Sequence, residues 1–302
     1  MEKLNFLVEE DYENERIDKY LPIFIDSFSR SYLQKLIDNS SILVNDKSIK
    51  ASYKLKVDDR IEVILPDSIV PDITPENIPL DILYEDDDVI VVNKPKNMVV
   101  HPSAGHYSNT LVNALLYHCK DNLSGINGVL RPGIVHRIDK DTTGSVIVCK
   151  NDYSHKFIAD LLKDHSVTRK YHAIVHGSID EDEGTIKTLI GRNPNDRKKM
   201  AVVTSGGKNA VTHYKVLKRF NNYTYVECSL ETGRTHQIRV HMASINHPIL
   251  GDEMYSNRKS EFKLEGQCLH AKILEFPQPH TGELIKTDAP LPQYFSHLLE
   301  IL

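Results

Sequence analysis

Three segments of this chain set ionisable or aromatic side chains at the ends of apolar runs: Gly133 to Lys150 (GIVHRIDKDTTGSVIVCK), Arg169 to Gly177 (RKYHAIVHG) and Leu230 to His241 (LETGRTHQIRVH). Asp139 places a carboxylate between the apolar runs of the first segment. Its neighbours, Lys140-Asp141-Thr142-Thr143-Gly144, suit a plain turn closed by side-chain hydrogen bonds to the backbone. Arg234 stands ahead of a helix that Thr235 can cap, with an apolar stripe of Ile238, Met242 and Ile245 and a stop at Asn246 and Pro248. Free N–H groups at such a helix start favour a phosphate or carboxylate; an exposed loop arginine is the plain alternative. Tyr171 shares a strand face with Ala173 and Val175, a position that suits a core residue as well as a ligand contact.

Other chemistries fit less well. His236 and His241 are five residues apart, not the four that stack two ligands on one helix face, and no glutamate completes a zincin motif, so zinc is discarded. His136-Arg137-Ile138-Asp139 looks like a kinase catalytic loop, but no GxGxxG or P-loop accompanies it to hold phosphates. The four cysteines, Cys119, Cys149, Cys228 and Cys268, have no paired spacing and read as buried small hydrophobes. No run approaches the roughly 18 apolar residues of a membrane span, and Met1 to Val8 lacks a signal-peptide core. A cytoplasmic protein with no membrane partner is expected.

The elements that must position these residues fall in two units. At 302 residues, 40% hydrophobic and 26% charged, the chain can bury more than one core. Its net charge of −5 is uneven: −3 over residues 1–65, −8 over 66–88 and +6 over 89–302. Pro66, Pro71, Pro75 and Pro79 interrupt the acidic stretch, which predicts a solvated linker over 66–80 between a domain at 1–65 and another at 81–302. In the first, Ile17, Tyr20, Leu21 and Phe24, then Leu33, Leu36 and Ile37 after a capping Ser29, recur at helical spacing. Ile42 to Val44, an Asn45-Asp46 turn and Ile61 to Leu65 predict strands, giving a small αα-plus-β module.

In the second domain, Val89 to Val92 predicts a strand buried on both faces. Helices are expected around Leu111, Leu115 and Cys119, begun at Ser108 or Asn109, and around Phe157, Ile158, Leu161 and Leu162. Strands are expected at 133–136, 145–150, 170–176, 211–217 and 223–230. The fold class is therefore α+β, a sheet-rich mixed or antiparallel domain rather than a regular βαβ alternation.

Taken together, in order and spacing, the three segments resemble the RluA/RluD family of RNA pseudouridine synthases. Its pattern is an HRLD-x-x-TSG-like loop, an RKxYxA strand and a TGRTHQIR segment; here Ile138 replaces the usual leucine and Thr143 the commoner serine. Secondary matches are Asn93-Lys94-Pro95, His101-Pro102, His247-Pro248-Ile249-Leu250-Gly251-Asp252, Leu269-His270-Ala271 and Thr281-Gly282-Glu283. Residues 15–65 resemble the S-four-like RNA-binding module that often precedes such domains, although this one is net acidic.

The resemblance implies an isomerase that turns uridine into pseudouridine in structured RNA, with large-subunit ribosomal RNA as target and transfer RNA as runner-up. A non-catalytic RNA-binding or ribosome-assembly factor is the rival from another class. The reaction consumes no redox equivalent or donor, so no cofactor and no metal are expected, and the chain is taken as a monomer. By resemblance Asp139 is the catalytic carboxylate, Arg234 its neighbouring cation and Tyr171 the aromatic that stacks on the flipped base. Arg137 is the candidate wedge that fills the gap in the RNA stack, and His136, Thr143 and Ile238 are candidate substrate contacts. Lys170, with Arg192, Arg197, Lys198, Lys199 and Lys208, could line a phosphate track; Arg16, Arg30 and Lys35, with Ser31 and Gln34, could form a basic face on the first unit.

Overall fold

The computed structural model describes residues 2–25, 30–65, 73–102, 106–120, 122–128, 131–258 and 260–302, the side chains of Glu2, Arg30, Ser31, Tyr32 and Lys35 excepted. The expected cap Ser29 and the proposed contacts of Arg30 and Lys35 lie outside that set. The chain divides into two units, Met1–Val70 and Pro71–Leu302.

The first unit runs β1 (Glu2–Leu7), α1 (Ile17–Phe24), α2 (Arg30–Asp38), β2 (Ile42–Val44), β3 (Lys47–Ser48) and β4 (Arg60–Leu65). Its strands pair in the order β1-β4-β2-β3. The expected Asn45-Asp46 turn joins β2 to β3 with both residues at positive φ, 49° and 64°, which these two side chains tolerate. Ile17, Tyr20 and Leu21 of α1 and Leu33, Leu36 and Ile37 of α2 bury against Ile42, Val44, Ile61 and Val63. The strand β1 was not expected; it pairs along its whole length with β4.

The second unit continues with β5 (Ile82–Glu85), β6 (Val89–Lys94), α3 (Leu111–Cys119), β7 (Thr143–Cys149), α4 (Asp152–Lys163), β8 (Thr168–His176), β9 (Glu183–Arg192), β10 (Met200–Val203), β11 (Lys208–Arg219), β12 (Tyr223–Leu230), α5 (Gln237–Ser244), β13 (Leu269–Pro277), β14 (Leu284–Asp288) and α6 (Gln293–Ile301). Ten strands form one sheet, β10-β9-β11-β12-β8-β13-β7-β6-β5, with β14 on β13. Among these pairings β13 with β7 is parallel and the others are antiparallel. The centre is buried on both faces, as expected for β6. Ile90, Val92, Val146 and Val148 enter one core with Leu111, Leu115, Ile238 and Met242, while Val89, Val91, Ile147 and Cys149 enter another with Ile158 of α4. All four cysteines are buried and free.

Three expectations change. Residues 133–136 form no strand: Ile134 makes a single bridge to Val148, and the His136 ring takes the Ile147 N–H that a neighbouring strand's carbonyl would have accepted. The cap of α3 is Thr110, not Ser108 or Asn109, because Thr110 and Asn113 satisfy each other's backbone N–H groups reciprocally. The expected linker is shorter at its far end. Ile73 is buried in the second unit's core, and Asn113 donates to the Thr74 carbonyl (2.9 Å) and accepts from the Glu76 N–H through its own carbonyl (2.9 Å).

Candidate active site

Asp139 sits on the loop that enters β7, and the end of β6, the segment before β13 and β13 itself fix that loop. The fully buried Lys94, at the end of β6, donates from Nζ to the carbonyls of Lys140 (3.0 Å), Pro95 (2.8 Å) and Met98 (2.8 Å). Gln267 donates to the Thr142 hydroxyl (3.0 Å). The Thr143 hydroxyl meets His270 Nδ1 at 2.7 Å, while His270 Nε2 faces the Ala289 carbonyl at 3.1 Å. Burial pushes His270 down to about 4, so Nε2 carries the proton and Nδ1 accepts from Thr143. Gly144, at φ 106°, lies so close to β13 that a Cβ there would sit 2.3 Å from the Ala271 carbonyl oxygen. The loop is thereby locked to the parallel β7–β13 pair.

The cation beside Asp139 is Arg239, not Arg234. Arg239 Nη1 donates to Asp139 Oδ2 at 2.9 Å, while its Nε and Nη2 grip both oxygens of the buried Asp252 at 2.7 and 2.9 Å. Burial pulls the guanidinium down, but the hydrogen bonds and charges of Asp252 and Asp139 outweigh it and hold Arg239 protonated. Arg234 instead donates from Nε to the Asn209 carbonyl at 2.9 Å. The turn of the helix explains the exchange: Arg239 is the third residue of α5 and is buried, whereas Arg234 precedes the helix. Thr235 is no cap, since His236, at φ 56°, occupies the cap position without a side-chain bond to the helix backbone. The Gln237 side chain does the tying, accepting from the Arg234 N–H and the Thr232 hydroxyl and donating to the Val211 carbonyl. His236 lies 3.8 Å from the other Asp139 oxygen, and burial lowers its pKa in spite of that carboxylate.

Asp139, Tyr171, Arg137, His136, Ile238 and Arg234 all line one cavity of about 560 Å³. Tyr171 comes from β8, alternating with Lys170 so that the two point to opposite faces. It is 7% exposed, and burial raises its phenol's pKa. Arg137 stands exposed at the rim, 3.3 Å from His101. His136 braces β7 through Nε2 (3.0 Å to the Ile147 nitrogen), and burial together with the charge of Arg169 pushes it down to about 3. Ile238 is both lining and core.

Three expected contacts go elsewhere. Thr143 is turned inward to His270, and its neighbour Thr142 lines the cavity instead. Lys170 pairs with Glu227 (3.1 Å) on the far face. Neither it nor Arg192, Arg197, Lys198, Lys199 or Lys208 is among the lining residues. In the first unit Arg16 is engaged by Asp18 through two hydrogen bonds (2.9 and 3.0 Å).

Arg239, Asp252, Lys94, Gln267 and Arg169 were not selected from sequence. Lys94 and Asp252 lie inside the quoted Asn93-Lys94-Pro95 and His247-to-Asp252 matches, and Arg239 and Arg169 inside the principal segments; their signal was present without a partner to read it against. Among the described residues one group gathers possible metal-ligand atoms, Glu85, His118 and Cys119, all within 4.8 Å of one another. Glu85 there already pairs with Lys150 (3.1 Å) and His118 (2.9 Å).

Among the described residues, six basic side chains, Arg131, Arg137, Lys163, Arg169, Arg234 and Arg239, line the cavity against one carboxylate, Asp139. Such a surplus suits an enzyme that handles a polyanion. The comparisons agree. The family described as RNA pseudouridylate synthase matches residues 88–244. The uncharacterized RNA pseudouridine synthase YlyB of Bacillus subtilis (strain 168) is 50% identical over 302 residues, 100% of this chain and 99% of that protein. A protein of Zymomonas mobilis named ribosomal large subunit pseudouridine synthase D is 44% identical over 297 residues, 95% of this chain and 93% of that one. The solved structure of human RNA Pseudouridylate Synthase Domain Containing 1 superposes with a TM-score of 0.58 at 26% identity, covering 75% of this chain and 95% of that one. The chain belongs to the RNA pseudouridylate synthase family and is an isomerase that converts uridine to pseudouridine in RNA.

Proposed function

We propose that the substrate is large-subunit ribosomal RNA and that Asp139 is the carboxylate that carries the reaction. The observation behind the catalytic part is the cavity itself: one carboxylate, held by Arg239 at 2.9 Å, shares it with Tyr171 and a basic lining. The target follows from relatives such as the Zymomonas mobilis protein, whose name specifies the ribosomal large subunit. In this reading the flipped uridine enters beside Tyr171, whose ring offers a flat apolar partner for the base. Asp139 either bonds to C1′ of the sugar or removes a sugar proton, in both cases as the C1′–N1 bond breaks and uracil leaves. The turned uracil rejoins C1′ through C5, Asp139 is released or returns the proton, and C5 gives up its proton while N1 gains one. Arg239 is the counter-charge throughout, and Arg137 at the rim fills the space the base leaves. The first unit, two helices on a four-stranded sheet, serves as the S-four-like docking module, and the enzyme works in the cytoplasm.

The test is chemical mapping of pseudouridine in total RNA from cells with and without the gene. Sites lost from large-subunit RNA support the target. Sites lost from transfer RNA replace it, and no lost site together with inactive purified protein returns the chain to a binding-factor role.

A further inference from the structure

Arg169 is the least explained charge in the cavity. It belongs to β8, two residues before Tyr171 on the same face, and is 7% exposed. Its guanidinium makes one hydrogen bond, from Nη2 to the Glu231 carbonyl (2.9 Å). Nε is buried without a partner, and among the described residues no carboxylate pairs with the group. Burial pushes Arg169 below its ordinary pKa; the Tyr171 phenol works against that shift, and the positive charge of Arg234 adds to it. Gly233 lies beside the fork: a Cβ there would sit 2.8 Å from Arg169 Nη1, so a side chain at that position would have to displace the guanidinium.

A buried, half-satisfied guanidinium beside a second cation is costly unless an anion completes it. The described residues supply none: Asp139, the one carboxylate among them that lines the cavity, is taken by Arg239. Arginine's planar fork matches a phosphate through two parallel N–H bonds, and RNA presents a phosphate at each nucleotide. We propose that Arg169, seconded by Arg234, binds the backbone phosphate next to the target uridine and so sets how deeply the base sits over Tyr171. The inference rests on the reading that this cavity receives a nucleotide of folded RNA.

The experiment uses RNA hairpins carrying the mapped uridine, each with one uncharged methylphosphonate linkage around the target. Binding by the full chain, Arg169→Gln and Arg169→Lys is measured over a salt series. In the wild type one linkage should cost about tenfold in affinity, a loss that Arg169→Gln reproduces on unmodified RNA and that the two changes together do not deepen. Arg169→Gln should also flatten the log–log salt dependence by about 0.7 to 0.9, while Arg169→Lys, which keeps the charge and the fold but not the fork, keeps that slope. Losses that simply add at every linkage, with an unchanged salt slope, would overturn the proposal and leave Arg169 a brace for the Glu231 carbonyl. Pseudouridine formation by the wild type on the same hairpins reports the enzyme reading separately, because linkage-specific binding does not require turnover.

Discussion

Two sets of residues in and around the same cavity follow opposite electrostatic plans. Around Asp139 each charge has an internal partner: Asp139 and Asp252 share Arg239, and Lys94 spends its donors on three carbonyls of its own chain. Arg131, Arg137, Lys163, Arg169 and Arg234 line the cavity with no carboxylate partner among the described residues. The first plan fixes geometry before substrate arrives, which reaction chemistry needs. The second leaves charge uncompensated until a polyanion supplies the counter-charge, which binding needs. Substitutions on the paired side should therefore act on turnover, and those on the unpaired side on affinity and its salt dependence.

The largest effect is expected at Asp139. Asp139→Asn keeps the shape of the side chain and should lower product formation by on the order of 10⁴-fold or more, with RNA affinity within about twofold, measured side by side. Appreciable turnover by that variant would remove Asp139 from the chemistry. Arg239→Gln should come next, with single-turnover rates down by about 10² to 10³. It also leaves Asp252, whose side chain is 1% exposed, without its partner, so unfolding free energy should drop by about 3–5 kcal/mol. Adding Asp252→Asn should recover part of that stability and none of the rate; recovery of both would make Arg239 a scaffold residue only. On the unpaired side, Arg131→Gln or Lys163→Gln should raise KM by about three- to tenfold at constant kcat and flatten the salt slope by about 0.7 to 0.9 each. A fall in kcat instead would merge the two plans into one.

The same contrast explains what the sequence disclosed. Tyr171 and the doubly buried β6 were legible because strand alternation and a continuous apolar run are local patterns. Asp139 and the three segments stood out through motif order. Arg239 was missed although it stands five residues after Arg234 in the same quoted segment: which arginine reaches Asp139 depends on where α5 begins, and Gln237, not Thr235, sets that start through bonds to Thr232, Arg234 and Val211. Arg169 was passed over because its meaning is an absence of partners, visible only once β8, Gly233 and Glu231 are placed. Thr143 was misassigned for a related reason. Its inward turn depends on His270, 127 residues away.

The smallest effect expected is one of stability and separates the scaffold from the site. His136 lines the cavity, yet its Nε2 accepts the Ile147 N–H, so the fold holds it neutral, and burial with the charge of Arg169 pushes it down to about 3. An unfolded chain protonates the same ring near pH 6.5, so below that value the unfolded state binds the extra proton and the folded state does not. The stabilisation is complete above about pH 6.5 and is lost as pH falls towards 3. His136→Gln can still accept the Ile147 N–H without titrating. Its urea midpoint should therefore fall less than the wild type's between pH 7 and pH 4.5. The remaining slope comes from the other histidines that burial lowers, among them His101, His241 and His270 at about 4, and from carboxylates held low such as Asp86 and Asp88. Parallel declines for the two proteins would mean that His136 takes up its proton in the fold, and that the loop before Asp139 is held by Lys94, Gln267 and His270 without it.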